Sequence, residues 1–427
     1  MANDRIRFGD FELDTENFTL RRGTTRIKLE RIPMEALILL ARHPGGLVTR
    51  DELVEAIWGS DCFLEIETAL NTAIRKLRRA LGDDPKKPAY IETVQGKGYR
   101  FLPGNAGSNR EDARVLYASA LHFWNRKTPE FYIKAIQLFQ ESIDLDVEFA
   151  LPYLGLAKAW IMLGIHGLRA PRDVYPKAKA AVTKALDLDG GLAECYASMG
   201  DIVKGYEWNW EDAEIQYLRA LELDPQCGIA HQWYANLLSI LGRHDEAIDH
   251  ACQARASVPL EVGPSGFVGF TYFRAGRYRE ALRESEGALT LEPNSPVANW
   301  FLGQVLAGLH RFEEAANAFS IAAEHSRDAS MYLASLAYAH ARSGESARAS
   351  EILESLERRA LERYISPLDL AIVTMALGQL DAAFGHLETA VEQRVMRLTE
   401  LRLPMFDALR SDSRYQGLLD RIGIPVK

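Results

Sequence analysis

A dense group of cationic side chains lies in the stretch "IRKLRRALGDD", residues 74–84. Four of the five positions from 75 to 79 are basic, and further basic residues follow within about twenty positions: Arg75, Lys76, Arg78, Arg79, Lys86, Lys87, Lys97 and Arg100. Guanidinium and ammonium groups pair with phosphate oxygens, so this pattern favours binding to a polyanion. A solvated helix face is the alternative interpretation of such a charge run.

The basic stretch stands out because the chain as a whole is acidic. The 427 residues carry a formal net charge of −9, whereas residues 68–102 hold eight basic and three acidic side chains. The acidity therefore belongs to the rest of the chain, and the positive charge is a local feature.

The sequence offers little for catalysis or metal binding. It contains no GxxxxGK[ST], HExxH or GxSxG motif, and its four cysteines are scattered without a CxxC pair. His244, His250 and Cys252 are close in sequence, but the six-residue step between the histidines does not place them on one helical face. We expect no enzyme activity, no cofactor and no metal site.

The basic residues fall on a segment with helical periodicity, residues 66–81. Its buried stripe is expected to be Leu70, Ile74, Leu77 and Leu81. At about 100° per residue, the opposite face carries hydroxyl and cationic side chains with two polar residues at its flanks: Thr68, Thr72, Arg75, Lys76 and Arg79, flanked by Asn71 and Arg78. The stretch "IETVQGKGYRF", residues 91–101, reads as a hairpin that places Lys97 near its tip and Arg100 in its second strand.

Elements that could hold this helix precede it. Residues 5–28 alternate apolar and polar positions, which predicts three or four short antiparallel strands. Two helices follow, in "PMEALILLARHPGG" and "TRDELVEAIWG". In the second, Thr49 and Glu52 have the spacing of a capping box.

This order of elements resembles the winged helix-turn-helix domain of OmpR/PhoB-type transcriptional regulators, over residues 5–102. The "RDELVEAIWG" helix, "IRKLRRALGDD" and the "TVQGKGYRF" ending carry the resemblance. It implies double-stranded DNA as partner, with helix 66–81 in the major groove and the wing 91–101 on the minor groove or backbone. Thr72, Arg75 and Lys76 are then expected to make base or mixed contacts, and Arg78 and Arg79 to contact mainly phosphates. Gln95 stands where the family often has an arginine, so the minor-groove contact is expected either to be weaker or to be supplied by Lys97.

The remainder of the chain repeats every 34 residues. Six alanines are in register, at Ala213, Ala247, Ala281, Ala315, Ala349 and Ala383. Glycines share the step, at Gly242, Gly276, Gly344 and Gly378, with His310 in the missing position. A second small-residue register runs through Ala235, Gly269, Gly303, Ala337 and Ala371. Each unit reads as two helices that cross closely at the small residues, and such units bury their apolar faces by stacking.

The 34-residue period, the placement of the glycines and the two registers of small residues resemble those of the tetratricopeptide repeat. We expect a linker at residues 103–110 and a repeat domain at 111–424 that ends in capping helices. The connection "HGLRAPRDVYP" is longer than usual, and the register slips by one residue near "GYEWNWEDA". First helices would line a concave partner groove with Gln232, Asn236, Phe270, Arg274, Trp300, Gln304, Tyr338 and Arg342.

The predicted fold is mainly α: an α+β winged helix-turn-helix domain followed by an α-solenoid. The predicted function is a sequence-specific, DNA-binding transcriptional regulator whose arrangement resembles the HilA-type branch. Family resemblance implies several copies on tandem direct repeats, and the groove is expected to take an effector, RNA polymerase or a regulatory protein or peptide. Without a signal peptide or an apolar run of membrane-spanning length, we expect a cytoplasmic protein with no membrane partner. The alternative is a repeat scaffold whose winged helix binds other proteins.

Overall fold

The computed structural model describes residues 5–59, 66–102, 106–126, 129–326 and 329–424. The chain divides into two compact units, with the boundary between Arg114 and Val115. We call them the winged unit and the repeat unit and describe each by itself.

The winged unit opens with four short strands, as the alternating pattern predicts. They pair sequentially and antiparallel as β1 (Arg5–Phe8), β2 (Phe11–Asp14), β3 (Thr19–Arg22) and β4 (Thr25–Ile27). Because alternate side chains point to opposite faces, one face carries the fully buried Leu13 and Leu20 next to Phe8 and Phe11. This face forms one wall of the unit's core.

Three helices and a second sheet complete the winged unit. They are α1 (Arg31–Ala41), β5 (Leu47–Thr49), α2 (Arg50–Trp58), α3 (Ile66–Leu81), β6 (Ile91–Val94) and β7 (Gly98–Phe101), with sheet order β5-β7-β6. The predicted capping box at α2 is confirmed: the Glu52 N–H donates to Thr49 Oγ1 at 3.2 Å, and the Thr49 N–H donates to Glu52 Oε2 at 2.7 Å. The Thr49 N–H lowers the pKa of Glu52.

The repeat unit is a run of helical hairpins, and the first of its helices, α4, begins before the unit boundary at Val115. Its helices are α4 (Ala106–Trp124), α5 (Pro129–Leu145), α6 (Ala150–Ile165), α7 (Pro171–Leu188), α8 (Ala193–Ile202), α9 (Trp210–Leu223), α10 (Gly228–Ile240), α11 (His244–Ser257), α12 (Val262–Arg274), α13 (Tyr278–Leu289), α14 (Pro296–Gly308), α15 (Phe312–Ser326), α16 (Ser330–Arg342), α17 (Ser346–Ala360), α18 (Pro367–Ala376), α19 (Leu380–Glu392) and α20 (Ser413–Ile422). Helix α4 begins at Ala106, so residues 106–110 are helical, whereas the sequence analysis assigned them to a linker.

The two small-residue registers lie at the helix crossings. Ala235, Ala337 and the six in-register alanines are fully buried. A Cβ on Gly269 would lie 2.2 Å from Ser285 Oγ, and one on Gly303 would lie 2.4 Å from the Phe319 ring. Larger side chains would therefore separate the paired helices, which is the reason for the register.

The glycines of the 34-residue step lie in the turns between paired helices. Their φ angles are positive, at 76° for Gly242, 73° for Gly276, 94° for Gly344 and 78° for Gly378. His310 adopts the same left-handed conformation at φ 60°, although it carries a Cβ. The turn geometry is thus conserved along the array even where the glycine is replaced.

The one-residue slip near "GYEWNWEDA" is a π-helical turn. Residues Val203–Glu207 continue α8 as a π-helix, and Trp208 follows with a left-handed φ of 57°. A π turn takes up one extra residue within a helix. The insertion is absorbed there, and α9 resumes the register.

After α19 the chain leaves the hairpin pattern. Two short 3-10 helices, Met396–Glu400 and Pro404–Leu409, precede α20, which packs against α19. The first 3-10 helix contacts α6 and the π turn, and the second contacts α14 and α18. Residues 394–409, which we call the return segment, therefore cross the inner surface of the repeat unit.

Candidate nucleic-acid interface

Helix α3 is divided into a buried and an exposed face, as its periodicity predicts. Leu70, Ile74, Leu77 and Leu81 are at most 4 % exposed and lie in the core of the winged unit. The side chains of Thr68, Asn71, Arg75, Lys76 and Arg79 are exposed, and that of Thr72 is half-buried. The buried leucines and isoleucine thus fix which side of the helix faces outward.

The side chains of Arg75 and Arg79 make no hydrogen bond or ion pair with any of the described residues, and the same is true of the Lys97 side chain at the wing tip. Lys76 differs, because its Nζ lies 2.7 Å from both carboxylate oxygens of Glu30. Both partners are largely exposed, at 46 % and 70 %. Exposed pairs contribute about 0–1 kcal/mol, so a phosphate could replace Glu30 at little cost.

Arg78 is placed differently from the expectation. Its Nη2 donates to Ile91 O at 2.7 Å and to Thr93 Oγ1 at 2.8 Å, and its side chain is only 14 % exposed. Its Nε lies 3.8 Å from Asp83 Oδ2, which is an ion-pair distance and not a hydrogen bond. The assignment of Arg78 to a phosphate is therefore wrong in this structure: the side chain joins α3 to strand β6, because its position at the flank of the helix faces the wing.

Asp83 is a further organising residue, which the sequence analysis did not identify. Its fully buried carboxylate accepts from the backbone N–H groups of Ala89, Tyr90 and Ile91 at 2.6–3.1 Å. Three N–H groups around one carboxylate fix the loop that leads from α3 into the wing. The "GDDP" stretch predicts a turn, but it does not reveal the hydrogen-bond partners of Asp83, which lie six to eight residues further along the chain.

Asn71 lies at the edge of the exposed face and is already hydrogen bonded. Its Oδ1 accepts from the Tyr99 hydroxyl at 3.0 Å and from Arg50 Nη1 at 3.3 Å, and the Arg50 guanidinium lies over the Tyr99 ring. The amide group of Asn71 keeps its Nδ2 donors available. Arg50, which the sequence analysis did not select, thus ties α2, α3 and the wing together.

The wing is held against the start of α2. A Cβ on Gly98 would lie 2.1 Å from Val48 O and 2.8 Å from Thr49 Cα, so β7 approaches β5 as closely as glycine permits. The Arg50 N–H donates to Lys97 O at 3.2 Å, and Gly96 takes a φ of 72° in the turn. Arg100 pairs across the strands with Glu92 at 2.6 Å, so its charge is partly compensated.

The expected partner groove in the repeat unit is not open. Phe270, Trp300, Gln304 and Tyr338 are buried, at 3–7 % exposed, and Arg397 of the return segment lies over the Trp300 ring. Arg274 Nη2 donates to Thr399 O at 3.3 Å, and burial lowers the pKa of Arg274 to about 10. The assignment of these five residues to an accessible groove is wrong for this conformation. Gln232 and Asn236 are half-buried, and Arg342 is exposed with its guanidinium over the Phe312 ring.

The described residues contain no group of three or more His, Cys, Asp or Glu side chains that could hold a metal ion. His250 contacts His231, with 2.7 Å between their Nδ1 atoms. Within the described part of the chain, no helix is long and apolar enough to cross a membrane.

Comparison with known proteins assigns the two units. Residues 24–101 match the family "Transcriptional regulatory protein, C terminal", and residues 209–259 and 272–337 match two tetratricopeptide repeat families. The transcriptional regulatory protein YvrH of Bacillus subtilis is 30 % identical over 106 residues, which are 25 % of this chain and 44 % of YvrH. The chain thus spans less than half the length of that relative.

Two solved structures are also similar to this chain. The DNA-binding domain of Klebsiella pneumoniae RstA, solved with the RstA box, is 31 % identical and covers 24 % of this chain and 99 % of its own, with a TM-score of 0.22. Yeast Tom70 is 16 % identical and covers 92 % of this chain and 82 % of its own, with a TM-score of 0.44. The family matches identify the chain as an N-terminal OmpR/PhoB-type transcriptional regulatory domain followed by tetratricopeptide repeats.

Proposed function

We propose that this protein is a sequence-specific DNA-binding regulator of transcription, in which α3 enters the major groove and the wing 91–101 contacts the minor groove or backbone. The observation that carries the proposal is the exposed face of α3, where Arg75 and Arg79 have no acidic partner among the described residues. A helix anchored by one face to a small core and cationic on the other has the form that fits a major groove.

The chemistry of the exposed face supports contacts to both phosphates and bases. Thr68 and Thr72 supply hydroxyl groups, and Asn71 keeps its amide donors. We assign Thr72, Arg75 and Lys76 to base or mixed contacts, Arg79 to a phosphate, and Lys97 to the minor groove or the backbone beside it. Arg78 and Arg100 keep the helix and the wing in place, since both are bound to neighbouring strands.

The repeat unit is proposed to bind a protein or peptide, such as RNA polymerase or a regulatory protein, and so to connect promoter occupancy with a signal. Several copies would bind side by side on tandem sites. A scaffold whose winged unit binds only proteins is the second candidate. The side chains of Arg75 and Arg79 have no acidic partner among the described residues, which favours DNA as the partner. A protein partner would have to supply acidic side chains to these arginines. The salt dependence of DNA binding, tested below, distinguishes the two candidates.

The test is fluorescence anisotropy with labelled genomic DNA fragments across a range of salt concentrations. We plot the logarithm of the binding constant against the logarithm of the salt concentration. With Arg75, Lys76, Arg79 and Lys97 on phosphates or in the groove, one copy of the protein is expected to give a slope of about −4. Arg75→Glu should abolish binding. Arg279→Glu is the matched control, because Arg279 is an exposed arginine of α13 and the charge change is identical.

Equal loss of affinity in the two variants would show that only the overall charge matters and would contradict the assigned interface. Absence of salt-dependent DNA binding by the unmodified protein would exclude the regulator in favour of the scaffold.

A further inference from the structure

The return segment, residues 394–409, is held by buried apolar side chains, among them Leu398, Leu401 and Phe406, and by one buried arginine. Arg397 Nη1 donates to Asp369 Oδ1 at 2.9 Å, and its guanidinium lies 5.6 Å from the centre of the Trp300 ring. Its other side pairs with Glu400 at 3.0 Å within the segment. The side chain of Arg397 is 8 % exposed and that of Asp369 is fully buried. A carboxylate and an indole face around a guanidinium form a pocket suited to arginine.

The rest of the segment contacts helices that are far apart in the chain. Met396 Sδ lies 3.5 Å from the Tyr175 hydroxyl on α7, and Thr399 O accepts from Arg274 on α12. Arg394 Nη1 donates to Tyr206 O in the π turn at 3.1 Å. Each contact is made across the inner surface, in the way that a bound peptide would contact several repeats at once.

The segment differs from the helices around it in ways that favour local opening. It is built from two 3-10 helices of five and six residues, and it begins at Arg394, a residue with a left-handed φ of 53°. Its anchor is a buried ion pair, whose attraction is largely offset by the desolvation of both charges. Gln304, one turn after Trp300 on α14, is 3 % exposed, and its Nε2 has no hydrogen-bond partner among the described residues.

We propose that the return segment is an intramolecular ligand of the repeat unit, and that its release uncovers an arginine-specific peptide site formed by Asp369, Trp300 and Arg274. The occupant in the closed form is the chain's own Arg397. This inference does not depend on DNA binding by the winged unit.

Tethering explains why the site stays closed. A segment linked to its site has an effective concentration on the order of millimolar. A free peptide of the same sequence at about 0.1 mM would therefore occupy little of the unmodified protein. Access requires either weakening of the Arg397 anchor or a partner that binds the surface more tightly.

The first experiment needs no substitution. Native-state hydrogen exchange of the full chain at low denaturant compares residues 396–409 with helices α14 and α15. The expected result is that the return segment exchanges at least 100-fold faster than those helices, through an opening that leaves them protected. Exchange of the segment and the helices at the same rate, in one global unfolding, would show that the segment is an inseparable part of the core and would overturn the proposal.

The second experiment adds a synthetic peptide of residues 394–412 to the full-length Arg397→Ala variant. The peptide is expected to bind this variant at least tenfold more tightly than it binds the unmodified protein. The same peptide with glutamine in place of Arg397 is the matched control and is expected to lose most of that binding, as is the Arg397→Ala/Asp369→Asn double variant. Equal binding of the two peptides would refute the arginine pocket. If the variant does not fold, the hydrogen-exchange result on the unmodified protein decides.

Discussion

Replacing Arg78 separates the two roles that the basic stretch combines. The side chain of Arg75 is free to contact DNA, whereas Arg78 holds α3 against the wing. We therefore expect Arg78→Ala to lower the stability of the winged unit and to leave the salt dependence of DNA binding nearly unchanged. Arg75→Ala should do the reverse.

The magnitude follows from the contacts of Arg78. Two hydrogen bonds of 2.7 and 2.8 Å from its Nη2 are lost, and bonds from a charged donor contribute about 1.5–3 kcal/mol each. Asp83 is not left without partners, because three backbone N–H groups still donate to it. One donor atom serves both acceptors, so we expect a total near the lower end, about 3 kcal/mol.

The measurement is urea-dependent hydrogen exchange of peptides from residues 66–101, with DNA titrations of the same samples. Arg78→Lys is the informative control. A lysine satisfies a phosphate but cannot reproduce the planar fork, so it should lose about half the stabilisation, about 1.5 kcal/mol. Unchanged exchange in Arg78→Lys and Arg78→Ala, together with a salt slope reduced by about one in Arg78→Ala, would refute the bracing role and restore the phosphate contact.

Four further substitutions test other parts of the structure. Gly98→Ala should destabilise the winged unit by about 3 kcal/mol, because the new Cβ meets the backbone oxygen of Val48; chemical unfolding measures this. His310→Gly should stabilise the repeat unit by about 0.5 kcal/mol, and Gly276→Ala should destabilise it by about 1 kcal/mol, because both residues have a left-handed φ that favours glycine. A Cβ added at Gly276 meets no atom within 4 Å, so the expected loss there comes from the backbone conformation alone. Thermal unfolding that shifts in the same direction for both variants would contradict this. Burial lowers the pKa of His166 from 6.5 to about 4, so the unfolded chain takes up the proton first, and stability should fall by about 3 kcal/mol as pH decreases through that range. His166→Phe should remove this part of the acid sensitivity in urea titrations at pH 7 and pH 4.

The elements of the winged unit could be predicted because their signals are local. Thr49 and Glu52 are three residues apart, and the stripe from Leu70 to Leu81 has one helical period. Lys76 and Arg78 are two residues apart in the same charge run, yet one faces solvent and the other faces β6. That difference depends on where the wing lies, which periodicity within α3 does not specify.

The repeats were predictable for the same reason, and the groove was not. A 34-residue step is visible in Ala281 and Ala315 without knowledge of the fold. Asp369, Trp300 and Arg397 are separated by 28 to 97 positions, and no period connects the return segment with the inner surface that it covers. Positions such as Phe270 are aimed inward, as the register indicates, but the register cannot reveal that another segment lies there.

The π turn at Val203–Glu207 has a consequence for how this array tolerates changes in length. An extra residue in a regular α-helix would rotate everything after it by about 100° and turn the alanine of the next crossing away from its neighbour. Here the wide turn contains the added residue, and Ala213 still reaches full burial in α9. Deleting one residue from this turn should therefore shorten a bulge without disturbing the hairpins beyond it, whereas the same deletion in the middle of α12 would shift the phase of the whole downstream array.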